Sequence, residues 1–507
     1  MDAGWVDESQ LETVLAKARE LESRGVDDRA YLLKLLIRAF PLPETEPLLR
    51  DEPLKLAEAI APKTDQEHEN LDVVRRHLRD YLRLQVITGA AIMPDACPVG
   101  KEASVPVGGV IAAEGAIFPA AHSSDICCSM FATFYHADQS VEAMLDAVVA
   151  STRFGPGSRG PEDRIPHPVV DEDVWYNPFL KGLEEKARAH IADQGDGNHF
   201  AFVGRVRWST DQLRRLAGAG YGSIAERLKP EPEMLALVTH HGSRGLGASV
   251  FTRGMAAAVK QSAKRTKGVP DAMAWLDAES EAGEAYWDAL QYVGRWTRAN
   301  HTTIHDRFLD SLKAQALTSF GNEHNFVWKR GKTFLHGKGA TPAWRDDSGR
   351  PLLGLIPLNM ASPILVVLGK DNADFLSFAP HGAGRNMSRR AAMKPFRLKG
   401  GGIDIERVGK AIAQSTAGLD VRWYCGKADF TETPSAYKNA ASIHRQIEQF
   451  GLADIVGEIE PLGCVMAGET KRRKEEELTP KQIRQIQHRA ERRKLRQNLH
   501  HGERQEE

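Results

Sequence analysis

The 507-residue chain is 42% hydrophobic, enough for a large core, and 67 basic against 68 acidic residues leave a formal net charge of −1. That balance excludes a global polycation, so any nucleic-acid surface must be a local patch. Five cysteines, an odd and sparse set, exclude a disulfide framework, and no apolar run is long enough to cross a bilayer.

The opening "MDAGWVDESQLETV" is acidic and lacks the apolar core of a signal segment, which with the cysteine usage predicts a soluble, cytoplasmic protein. Residues 1–85 read as a helical extension: "ESQLETVLAKARELESRG" and "RAYLLKLLIRAF" space their apolar residues at helical intervals before "PLPETEP" breaks the pattern. Short strands with tight turns are predicted where the composition shifts to Gly, Pro, Ala and Val, in "VITGAAIMPDACPVGKEASVPVGGVIAAEGAIFPAAHSSDICCSMFATFY". A long helical pattern follows in "DAMAWLDAESEAGEAYWDALQYVGRWTRANHTTIHDRFLDSLKAQAL". The main domain is predicted over 86–468. Residues 469–507, dense in both charge signs, read as an exposed helix or a disordered tail. No internal repeat is found.

Five segments of the middle place ligand-type residues beside small ones. They are "SSDICCS" (Asp125 and Cys128, with Cys127 between), "GDGNHF" (Asn198, His199), "THHGSRGLG" (His240, His241), "NEHNF" (His324, Asn325) and "APHGAGRNMSRR" (His381). Carboxylate, thiolate and imidazole together suit Zn²⁺, Mn²⁺, Fe²⁺ or Co²⁺, and a thiolate sulfur can bridge two such ions. The spacings match no CxxC or HExxH pattern. Core histidines, a helix-capping histidine and buried small cysteines account for the same residues without metal. Around His381, the glycines permit close approach of main chain to a ligand and the arginines suit phosphate oxygens.

In this order, the segments resemble the RtcB-type RNA ligase family over about residues 90–468, joined by "HGKGAT" and "PSAYKN". The resemblance implies an α+β fold: a single large domain with β-sheets around a central two-metal cleft. It implies Asp125, Cys128 and His199 as ligands of one Mn²⁺ and Cys128, His240 and His324 as ligands of a second. His381 would be the nucleophile toward GTP. The guanylate would lie against Asn198, His199, Phe200, Phe202, His324, Asn325, the loop Pro357, Leu358, Asn359 and Met360, and Gly382, Ala383, Gly384 and Arg385. The implied substrates are RNA 3′-phosphate or 2′,3′-cyclic phosphate ends and 5′-hydroxyl ends, in RNA repair or tRNA splicing, with an archease-like activator as a further partner.

The chain departs from the family pattern away from the ligands. Met466 or Ala467 stands where the family ends in Lys-Gly, with Lys471 as a stand-in, and Phe202 replaces a glutamate. Cys97 replaces a histidine, Ser124, Cys127 and Ser129 replace glycines, Gly337 replaces an arginine, and "PLNMA" replaces Pro-Gly-Ser-Met-Gly. Three functions follow: a ligase, a nucleotidyltransferase that guanylylates 3′-phosphate ends without sealing, and a silent metal-containing RNA-binding paralogue.

Overall fold

The structure, a computed structural model, describes residues 8–40, 49–98, 104–262, 269–398 and 402–469. The charged C-terminal tail, with Lys471, and the Val99–Lys101 part of "CPVGK" lie outside them.

The helical extension begins with Glu8–Ser23 and Arg29–Ala39, which share a small core of their own around Val14 and Leu36. Helix Asp65–Leu82 starts at Thr64, whose side chain caps Glu67 while Glu67 reaches back to the Thr64 amide. Its buried stripe, Leu71, Val74, Leu78, Tyr81 and Leu82, follows helical spacing. This stripe packs in one cluster with Ile87, Ile92, Ile111 and Phe118, so the helix belongs to the core of the strands that follow it.

Strands dominate the rest. A five-stranded sheet runs Ala57–Glu58, Ile87–Cys97, Val107–Glu114, Thr333–Lys338 and Asn325–Arg330. A larger sheet runs Ala316–Glu323, Ser129–Tyr135, Met234–His241, Phe200–Val206, Ala453–Met466, Ile364–Gly369 and Leu353–Ile356, with Asp420–Trp423 added beside Ala453–Met466.

The larger sheet curls until its first and last strands meet. The Asn322 side chain accepts from the Leu355 N–H at 2.7 Å and donates to the Leu355 carbonyl at 3.2 Å and to Thr341 Oγ1 at 2.8 Å. Alternation sorts the side chains. Phe134, Phe202, Val238, Leu355 and Val366 fill the inside of the curl. Tyr135, Val203, Leu237 and Val465 point outward under helix Val141–Ser151 and the end of helix Glu281–Leu312. Both faces are covered, which is why Ser129–Tyr135 ("SMFATFY") is buried along its whole length.

Helix Glu281–Leu312 is the long helix the sequence pattern predicts, capped by Ser280. It carries polar residues into the core. His301 meets Ser129 Oγ at 3.0 Å and Thr239 Oγ1 at 2.7 Å, and His305 meets Thr239 Oγ1 and Thr133 Oγ1, each at 2.8 Å. These bonds tie the helix to the two strands that end at the site.

Candidate metal centre and adjoining cavity

Four adjacent strands of the curled sheet finish at one rim. Glu323 pairs with Ser129, Ser129 with His241, and His240 with Phe200. The residues at or next to these ends are His324, Cys128, His240 and His199. Ladder hydrogen bonds therefore bring together four side chains scattered over nearly two hundred positions of sequence. The turn before Ser129 adds a fifth: the Cys128 N–H bonds the Asp125 carbonyl at 3.2 Å, which folds Asp125 back toward the rim.

Cys128 Sγ lies 3.2 Å from His240 Nε2 and 3.6 Å from His199 Nε2. His199 Nε2 lies 2.9 Å from Asp125 Oδ2, and His240 Nε2 lies 3.1 Å from His324 Nε2. Two triads result, Asp125–Cys128–His199 and Cys128–His240–His324, each with its donor atoms within 4.8 Å of one another and with the sulfur in common. His241, one residue on, faces the other side of the strand and stacks on His301 with ring centroids 3.5 Å apart.

The donor set fits divalent cations. His240 Nδ1 donates to the Asn198 carbonyl at 3.2 Å, which leaves a lone pair on Nε2 facing His324 Nε2 and the sulfur. Facing lone pairs at this distance repel unless a proton or a cation stands among them. Burial and the neighbouring His199 and His381 push the His240 pKa down to about 3, so the ring stays neutral. Packing raises the Asp125 pKa, but the charge and hydrogen bond of His199, helped by Arg244, bring it net below the usual carboxylate range. Burial and the Asp125 charge hold the Cys128 thiol well above its usual value, a proton that a bound dication displaces.

His381 adjoins this rim, its ring centroid 4.9 Å from that of His324. It follows strand Phe378–Pro380, which pairs with Ala340–Pro342. The fully buried Asp95 accepts from His381 Nδ1 at 2.5 Å and from the His381 amide at 3.3 Å. Holding the proton on Nδ1 leaves the lone pair on Nε2. Asp95 is fixed in turn by Lys438, whose Nζ donates to the carbonyls on either side, Pro94 at 2.9 Å and Ala96 at 2.7 Å. The glycines of "HGAG" serve this packing. Gly384 has φ +69, and a Cβ there would lie 1.9 Å from the Asp95 carbonyl oxygen. Next to it, Glu432, 2% exposed, accepts from Arg389 Nε at 2.9 Å and from the Tyr437 hydroxyl at 2.6 Å, with Arg385 Nη1 at 3.5 Å.

A cavity of about 810 Å³ opens beside His381 and His240. Asn198, Phe200 and Phe202 line it, as do Pro357, Leu358, Asn359 and Met360 and the loop Gly382, Ala383, Gly384 and Arg385. Cys464, Met466 and Ile364 complete an apolar wall, and Gln66 and Asn70 reach it from helix Asp65–Leu82. Asn325 does not line it: its Oδ1 accepts from the Gly339 N–H at 2.7 Å and shapes the turn after Lys338. His199 and His324 stand on the triad side. Asp95, Lys438 and Glu432 are absent from the sequence-level site. Asp95 and Lys438 lie inside the quoted segments "MPDAC" and "PSAYKN", which is the signal that marks them, whereas nothing in the sequence marks Glu432.

Comparison with known proteins gives the family. The family description "tRNA-splicing ligase RtcB" matches residues 177–467. The tRNA-splicing ligase RtcB of Thermococcus kodakarensis is 25% identical over 432 residues, covering 71% of this chain and 84% of that protein. RNA-splicing ligase RtcB2 of Escherichia coli is 26% identical over 409 residues, 78% of this chain and 91% of its own length. The tRNA-splicing ligase RtcB of Archaeoglobus fulgidus is 26% identical over 315 residues, 56% of this chain and 61% of its own. With more than half of its length matched by the family description and the sulfur-sharing triads in place, the chain belongs to the RtcB family.

Proposed function

We propose that this chain is a GTP- and Mn²⁺-dependent RNA ligase that joins 3′-phosphate or 2′,3′-cyclic phosphate ends to 5′-hydroxyl ends in RNA repair or tRNA splicing. The observation that carries the reading is the convergence of two triads on Cys128 Sγ with the His381 ring one imidazole away, at the mouth of a nucleotide-sized cavity. Asp125, Cys128 and His199 would hold one ion, and Cys128, His240 and His324 the other. Bound there, the ions supply Lewis acidity that offsets phosphate charge.

The chain's own residues do the rest. Asp95 keeps the proton on His381 Nδ1, so Nε2 presents its lone pair to the α-phosphorus of GTP. The new N–P bond forms as the bond from that phosphorus to the bridging oxygen breaks, and pyrophosphate leaves. An oxygen of an RNA 3′-phosphate then takes GMP from His381, restoring the neutral ring. The 5′-hydroxyl oxygen attacks the activated phosphorus and expels GMP, sealing the strand. A 2′,3′-cyclic phosphate first needs opening by water to a 3′-phosphate. Arg385 and Arg389, braced on Glu432, place cations at the cavity wall where phosphates enter.

The test is incubation of the full chain with α-labelled GTP and Mn²⁺. An acid-labile protein–GMP adduct that disappears in His381→Ala is expected; no adduct, or one that survives the substitution, overturns the reading. One observation favours a second reading, guanylylation without sealing: Phe202, Cys464 and Met466 make an uncharged stretch of cavity wall. It predicts an adduct and capped 3′ ends but no joined product.

A further inference from the structure

A second concavity, of about 740 Å³, lies at the opposite end of the hairpin that flanks the catalytic cavity. Strand Ile364–Gly369 touches the first cavity with Ile364 and the second with Leu368 and Gly369. Five residue steps of strand separate them, roughly 17 Å. Four cations line the second concavity against one carboxylate: Arg215, Arg345, Arg350 and Lys370 against Asp454. In a chain of net charge −1, such a cluster is not a sample of a generally basic surface.

Its walls are built. Arg345 and Pro351 bridge the base of a turn in which Asp346 accepts from the Ser348 and Arg350 amides, both at 3.0 Å. The Arg350 guanidinium lies 4.8 Å over the Tyr221 ring, and Tyr221 donates to the Pro351 carbonyl at 2.8 Å while accepting from the Leu353 amide at 3.0 Å. The turn Ala217–Tyr221 is thereby clamped to the hairpin. Arg350 is paired with Asp346 and Lys370 with Asp454. Arg215 and Arg345 contact only carbonyls, those of Ile455 at 3.3 Å and Gly349 at 3.0 Å, and have no ion pair among the described residues.

We propose that this cleft binds the phosphodiester backbone of the RNA body, several nucleotides from the end held at His381, with Arg215 and Arg345 each neutralising a phosphate. Among the described residues its lining offers no free aromatic face, since Arg350 covers Tyr221, and no pattern for reading a base; it fits a sequence-independent anion track. The inference rests on the RNA reading above and extends it to a site away from the chemistry.

The test compares the full chain with the double variant Arg215→Ala, Arg345→Ala, using a labelled 30-nucleotide stem-loop and a 2-nucleotide oligomer too short to span the two cavities. The expected result is roughly tenfold weaker binding of the stem-loop, with the slope of log K against log salt reduced by about 2, about one for each phosphate contact removed. Oligomer affinity, GMP-adduct formation and thermal midpoint stay unchanged. Unaltered stem-loop affinity and slope, or an equal loss for both RNAs, overturns the cleft. A normal adduct with unaltered RNA affinity sinks the cleft alone, whereas no adduct in the unsubstituted protein sinks the ligase reading and leaves the affinity comparison to judge the cleft.

Discussion

The two halves of the candidate site are held by different physics. The ligand rim hangs on the ends of four paired strands, and its position is enforced by a continuous hydrogen-bond ladder and by the histidines of helix Glu281–Leu312 beneath it. The His381 cradle has no such row of strand ends behind it, and a few side chains from distant segments carry it: Asp95 from strand Ile87–Cys97, with Lys438 and Glu432. A rim of this kind resists displacement but depends on every donor for its chemistry. A cradle of this kind is set by single contacts, so one substitution can misplace the nucleophile while the fold stays intact.

Cys128→Ser puts the rim to the severest test. Serine keeps the size but offers no soft bridging thiolate, so both triads lose a donor at once. Mn²⁺ affinity should fall by at least roughly a hundredfold, the upper end for a change merely adjacent to a ligand. Titration with Mn²⁺ should show two sites lost together and no GMP adduct, at an unchanged metal-free melting temperature. Loss of one site alone would break the shared-sulfur arrangement. Asp95→Asn tests the cradle. The amide would donate to Nδ1, shift the ring proton to Nε2 and block the lone pair. Adduct formation at saturating GTP should slow by about 10⁴-fold, the scale of a wrong imidazole tautomer elsewhere, with half-saturating GTP little changed. A rate within a few fold of the parent would show that Asp95 does not set the tautomer.

The same contrast explains what was legible in the sequence. Cys128, His199, His240 and His324 are named in the sequence only through the family resemblance, because their spacing fits core histidines and buried cysteines as well, and only the pairing of the strands brings them to one rim. The 32-residue helix Glu281–Leu312 is legible from apolar spacing. Asp95 lies in a segment that the resemblance marks, but its pairing with His381, 286 positions away, is not legible, because no periodicity links them. Nor is Glu432 marked, since its partners Arg385 and Arg389 lie 47 and 43 positions away, before and at the start of the short helix Arg389–Ala392. The curl of the larger sheet joins strands that do not pair, through its shared apolar interior and the bonds of Asn322 to Leu355, and no local pattern announces that closure. The glycines of "HGAG" announce close approach, but the sequence cannot say that Gly384 approaches the Asp95 main chain.

Acid tests the two sheets that carry the halves. Burial holds His305, under the rim, and His336, in the five-stranded sheet, at about 3. Both are neutral in the fold, while the unfolded chain takes up their protons below about pH 6.5. Their contribution is therefore whole above about 6.5 and is lost as pH falls toward about 3, at about 1.4 kcal/mol per group per unit. Between pH 6.5 and 5 the metal-free protein should lose about 4 kcal/mol from this pair, read by urea unfolding. His305→Gln should remove about half of that slope. An unfolding free energy flat across this range would mean that the strand-and-helix layer admits protons without opening.

Glu432→Gln gives the cradle's corresponding figure, and a smaller one. The carboxylate is buried, so replacing it leaves Arg385 and Arg389 without their counter-charge; Arg389, half exposed, is partly rescued by solvent, while Arg385 at 17% side-chain exposure is not. About 3 kcal/mol of stability should be lost, the low end for breaking a buried pair. The Tyr437 hydroxyl keeps an acceptor in the glutamine carbonyl, so the loss is one of charge rather than of packing. If these few side chains position His381, this variant should slow adduct formation more than a rim-side change of equal stability cost, such as Asn322→Ala, does. Equal slowing at equal destabilisation would mean that the cradle is held by the sheet after all, and the distinction between the two halves would fall.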